Sequence, residues 1–134
     1  MFKIILLALI ASLGLQIESG QAAYYAPRVM ERVVRVRQAG WTAGTLPAEL
    51  PPVVGFVATP RCNEIGNLVW LFHGSEGWTG PYLVSDCCDE VAGHCAAMRR
   101  RGIVAEVGHN TARRWRVLGL GPERIPVWIA RAGP

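Results

Sequence analysis

The chain has 134 residues, is 51% hydrophobic, and carries 14 Lys and Arg against 10 Asp and Glu, for a net charge of +4. That size suits one domain with one core, and that apolar content excludes a disordered chain. Nucleic acid is not an expected partner, because only Arg99, Arg100 and Arg101 cluster and no aromatic residues interleave with them.

Residues 1–22 have the layout of a secretory signal. Lys3 supplies the positive start, an apolar run follows over residues 4–17, and Gly20 and Ala22 place small residues before a cut after Ala22. The run is shorter than the ~20 residues that span a bilayer, and no later segment is long and apolar enough. A secreted or periplasmic protein with no transmembrane segment after cleavage is therefore expected. The mature chain would be on the order of 110 residues. A modest positive charge outside the cytosol favours acidic polymers such as cell-wall glycans.

Residues 27–38 (PRVMERVVRVRQ) put Val29, Met30, Val33 and Val34 on one side and Glu31, Arg32, Arg35 and Gln38 on the other, which predicts a helix. Pro27 suits its first turn and Gly40 its stop. Residues 41–52, with Gly44, Pro47, Pro51 and Pro52, read as a linker draped over the core, so that residues 23–52 form a helix-and-linker segment ahead of a barrel at 53–134.

Short strands are predicted at 53–58, 68–72, 82–85, 103–107, 115–118 and 126–130, with a turn at 74–80 that carries Trp78. Residues 92–101 form a short helix stopped by Gly102, and Asn110 or Thr111 caps another that carries Ala112 and Trp115. Five or six short strands with few helices argue for a small closed barrel, mainly β. Trp70, Trp115 and Trp128 sit in apolar or helical contexts and are expected in the core. We expect a monomer.

Four cysteines in an exported chain read as two disulfides. Pairing adjacent Cys87 and Cys88 would strain the ring, and of the two remaining arrangements we favour Cys62–Cys87 with Cys88–Cys95. The spacing around His94 and Cys95 fits no zinc pattern, so neither a metal nor any other cofactor is expected. His109-Asn110 downstream of a cysteine does not make a thiol protease, because a cystine holds no nucleophile.

The candidate chemistry lies at Asp86, which ends one apolar run, and Glu106, which interrupts another. A carboxylate in an apolar strand is costly to bury without a partner. Glu106 either faces a cleft beside Asp86 or pairs with an arginine such as Arg114. Trp78, Tyr82 and His109 are the candidate substrate-binding residues, since aromatic faces stack on sugar rings.

From residue 82 to 115 the chain resembles the double-psi β-barrel family that includes rare lipoprotein A, barwin and the expansin catalytic domain. The resemblance rests on YLVSD ending at Asp86, IVAEV holding Glu106, TARRW at 111–115, and a glycine-preceded final strand at 121–129. Upstream, residues 57–59 and 65–69 resemble the lead into the family's second strand. The chain departs from rare lipoprotein A in replacing its Asp-Arg-Gly-Pro turn with Asp86-Cys87-Cys88-Asp89. The resemblance implies a six-stranded double-psi barrel with two or three short helices that binds cell-wall polysaccharide or peptidoglycan. In catalytic members the aspartate matching Asp86 is the general acid of glycosidic cleavage, as in lytic transglycosylases. A disulfide-stapled interaction or inhibitor protein on the same barrel is the alternative.

Overall fold

The computed structural model describes residues 14–40 and 44–132. Six strands close into a barrel: β1 (Leu15–Tyr24), β2 (Gly55–Ala58), β3 (Leu68–His73), β4 (Gly77–Asp86), β5 (Ile103–Val107) and β6 (Pro126–Ala132). Around the barrel the order is β1-β5-β2-β4-β3-β6. The β1–β5 and β2–β4 pairs are parallel and the other four antiparallel, so closure leaves no free edge. Among the described residues three α-helices accompany it: α1 (Val29–Gln38), α2 (His94–Arg100) and α3 (His109–Trp115). No helix among the described residues is long and apolar enough to cross a membrane.

Alternation along the strands fills the barrel. Val57, Val69, Leu71, Tyr82, Val84, Val107, Val127 and Ile129 are all at most 1% exposed and form one cluster with Trp115 and Ile125. A second, smaller cluster lies outside the sheet, where Val34 of α1 and Leu46 pack on Leu83. Phe56 and Leu68 lean on the same group. The face of β2 and β4 is thus covered by α1, which also buries Met30 to 2% exposure.

The sixth strand is not where the residue pattern puts it. Residues 115–118 end α3: Arg116 takes a left-handed conformation (φ 61°), and the Val117 amide bonds back to the Ala112 carbonyl. The apolar side chains that mimic a strand there, Trp115 and Val117, instead drop into the core. The place is filled by β1. It pairs with β5 on one side and β6 on the other, and its Ala22 is fully buried. Gly20 lets β1 approach β5, because a Cβ there would lie 2.5 Å from the Gly102 carbonyl oxygen.

The signal peptide expected over residues 1–22 falls partly on residues 1–13, outside the described residues. The rest of it, from Leu15, lies within β1. The helix expected at 27–38 begins at Val29, after a left-handed Arg28. The turn expected at 74–80 is shorter, and Trp78 belongs to β4.

Both disulfides pair as expected, Cys62 with Cys87 and Cys88 with Cys95. The first ties the turn after β2 to the end of β4 across a sequence separation of 25, a closure that stabilises by roughly 3 kcal/mol in the chain-entropy model.

Candidate functional site

Asp86 and Glu106 are brought together by β2. Ala58 is registered with Asp86 on β4 and with Glu106 on β5. Residues directly opposite one another on neighbouring strands project to the same side, so the two acids flank Ala58 on one face, with Cα atoms about 10 Å apart at two strand spacings. A bulge sets this up. Val57 pairs with Val84 but Ala58 pairs with Asp86, leaving Ser85 extra, and such a bulge re-aims the side chains beyond it. Ser85 bonds instead to the Met30 sulfur at 3.1 Å, under α1.

The two carboxyl groups meet different surroundings. Arg37 Nη2 donates to Asp86 Oδ1 at 2.6 Å, and the Tyr25 hydroxyl donates to Asp86 Oδ2 at 2.6 Å. Side-chain exposure is 10% for Arg37 and 19% for Asp86, so the ion pair is largely withdrawn from water. Burial, the hydrogen bond to Asp86 and the negative charges of Asp86 and Glu106 push the Tyr25 hydroxyl up, keeping it protonated as a donor. Burial, and then the charge of Asp86, push the Glu106 carboxyl above its ordinary value. Asp86 is thus fixed by two donors, whereas burial and the charge of Asp86 make Glu106 hold its proton to higher pH than an ordinary glutamate. A shallow cleft of ≈ 190 Å³ between Arg32, Val33, Val36, Arg37 and Asp86 opens the aspartate side to solvent.

Tyr25 and Arg37 are partners of Asp86 that sequence reasoning missed. Tyr25 follows β1, and Arg37 lies in the last turn of α1. The arginine proposed from sequence as a partner for Glu106, Arg114, is engaged elsewhere. Its Nε bonds Glu76 at 2.7 Å and its Nη2 donates to the Tyr82 hydroxyl at 2.9 Å.

The three residues expected to bind substrate are scattered. Tyr82 is fully buried, its hydroxyl held by Thr79 and Arg114, so it offers no face to a ligand. Trp78 is 48% exposed, but it stands eight positions before Asp86 on β4, roughly 25 Å along the strand. It does not share a groove with the acids. His109 opens α3, two residues beyond β5, with its ring edge-on to Tyr24 at 6.3 Å between centroids and a buried Nδ1 that finds no partner among the described residues. Of the tryptophans expected in the core only Trp115 is there, at 2% exposure, whereas Trp70 and Trp128 are 37% and 49% exposed.

The sulfur atoms of Cys62, Cys88 and Cys95 lie within 4.8 Å of one another. Each is held in a disulfide, which leaves no thiolate to ligate a metal.

No known family, no curated protein and no solved structure matches this chain.

Proposed function

We propose that the protein is an exported double-psi barrel, secreted or periplasmic, that keeps residues 15–22 as part of β1 rather than losing them to a cut after Ala22, and that acts on cell-wall polysaccharide through Asp86 and Glu106. The observation that carries this reading is their common register with Ala58 in unequal surroundings. Two carboxyl groups, one of them holding its proton above the ordinary range, are the usual equipment for glycosidic cleavage. Their roles are the reverse of those expected from the family resemblance. Glu106, the carboxyl that keeps its proton, gives it to the glycosidic oxygen as the bond to the anomeric carbon breaks. Asp86, oriented by hydrogen bonds from Arg37 and Tyr25, stabilises the positive charge that develops on the sugar. Water then adds to the anomeric carbon, and the proton it releases restores Glu106.

Support for the compartment and the family comes from two further features. Two disulfides suit an oxidising environment outside the cytosol. The closed order of six strands, with two parallel pairs among antiparallel ones, suits the double-psi arrangement.

A second reading, a non-catalytic interaction or inhibitor protein, is favoured by one specific contact. Both oxygens of Asp86 are taken by Arg37 and Tyr25, so the residue also serves as a clamp between α1 and the barrel. Incubating purified protein with peptidoglycan sacculi and separating the soluble fragments distinguishes the two. Cleavage predicts fragments from the wild type, none from Glu106→Gln, and retention of both proteins on the sacculi. Fragments released equally by the wild type and Glu106→Gln would refute the assignment of the acid. Absence of fragments from the wild type would leave the interaction reading.

A further inference from the structure

The side of the barrel away from α1 carries an unusual row of side chains. Phe72 of β3 is registered with Trp78 of β4 on one side and with Trp128 of β6 on the other. The three rings therefore project outward together, and Phe72 meets Trp78 edge-to-face at 5.6 Å between centroids. Trp70, two positions earlier on β3 and paired with Ala130, points the same way. Its indole lies over the Gly80 backbone, where a Cβ would approach Trp70 Cδ1 to 2.5 Å. Only glycine lets the indole lie there. The remaining outward positions of β6 are Pro126, Ala130 and Ala132, so no ionisable side chain stands in this row on β3 or β6.

At the Trp70 end the row runs into a cleft of ≈ 510 Å³ lined by Glu64, Asn67, Leu68, Trp70, Arg131 and Ala132. Its charged groups are buried and cancel. Glu64 and Arg131 are 7% and 8% exposed, Arg131 Nε lies 2.7 Å from Glu64 Oε2, and Thr59 donates to Glu64 Oε1 at 3.0 Å. Asn67 is exposed, and its side-chain amide has no hydrogen-bond partner among the described residues.

We infer that this face is a glycan-binding platform distinct from the acid pair, taking an extended, uncharged polysaccharide chain. Flat aromatic faces stack on the apolar faces of pyranose rings, while a paired carboxylate and guanidinium with an amide beside them match hydroxyl groups. Trp78 and Trp128, on strands either side of β3, stand about 10 Å apart, a distance comparable with one disaccharide of an extended β-linked chain. The electrostatics choose the ligand class. With no uncompensated cation on the row or in the cleft, an anionic polymer gains nothing here, whereas a neutral one loses no charge solvation. The inference rests on the polysaccharide reading above, but not on catalysis by Asp86 and Glu106.

Titration with chitohexaose, followed by tryptophan fluorescence and calorimetry, tests it with the full chain. The wild type should bind, Trp78→Ala/Trp128→Ala should bind at least about tenfold more weakly, and Asn67→Ala should also lose affinity. Trp78→Tyr/Trp128→Tyr should keep most of the binding, which separates lost stacking from a folding defect. Glu106→Gln should bind like the wild type. The inference is overturned if the double alanine variant binds unchanged, or if the wild type ignores chitohexaose. It is equally overturned if sedimentation shows a dimer that the double variant dissolves while no glycan binds, since the row would then seat a second copy. Failure here with Glu106-dependent release of fragments from sacculi would leave the acid-pair reading intact. Platform binding with no fragments would sink that reading and leave this one.

Discussion

Arg37 Nη2 lies 2.6 Å from Asp86 Oδ1, joining the last turn of α1 to the end of β4 across 49 positions of sequence. Both partners are mostly buried, so the pair carries a desolvation cost that its attraction must offset. Removing one member is therefore worse than never having had either.

Arg37→Ala should destabilise the protein by about 3 kcal/mol, the cost of leaving a buried carboxylate without its cation. Denaturant unfolding measures this. Tyr25→Phe removes the other donor to Asp86 and should cost about 1–3 kcal/mol. A change below about 0.5 kcal/mol in both variants would mean that Asp86 is solvated rather than clamped.

Glu106 should make stability fall with rising pH. Its folded-state carboxyl is raised above the ordinary 4.5, first by burial and then by the charge of Asp86. The folded protein therefore holds that proton more tightly than the unfolded chain does. The resulting stabilisation is complete below 4.5 and is lost as pH rises through the folded value. Glu106→Gln, which cannot ionise, should have a higher melting temperature than the wild type at pH 7 by a few degrees. The difference should close below about pH 4. A gap that is absent at neutral pH, or that widens in acid, would reverse the sign.

Strand β1 should be indispensable. A chain beginning at Ala23 would lose eight of the ten residues of β1, including buried Ala22, and would leave β5 and β6 with open edges. Such a protein should be unfolded or aggregated, with little far-ultraviolet signal from strands. A folded, monomeric product would show that the barrel closes without these residues.

Much of the fold was legible because local pattern decides it. The spacing of Met30 and Val34 marks α1, and the apolar run at 103–107 marks β5. β1 was hidden because Leu15 and Ile17 continue the apolar run of a signal-like N-terminus, and composition alone cannot say where one ends. The acids were legible as polar interruptions of apolar strands, and β2 does place them in one register, on either side of Ala58. Their partners were not, because Tyr25 lies 61 positions from Asp86 and such a contact leaves no periodic trace. Trp70 and Trp128 were misplaced for a different reason. Apolar character favours burial only where something covers the face, and α1 covers β2 and β4 rather than β3 and β6.

The most direct test is to follow the carboxyl carbon of Glu106 by NMR in protein carrying labelled glutamate, from pH 3 to pH 9, in the wild type and in Asp86→Asn. The account predicts a Glu106 midpoint above the ordinary 4.5 that drops when the neighbouring negative charge is removed. A midpoint at or below that value, or one indifferent to Asp86→Asn, would show that the two groups do not form a coupled acid and anion.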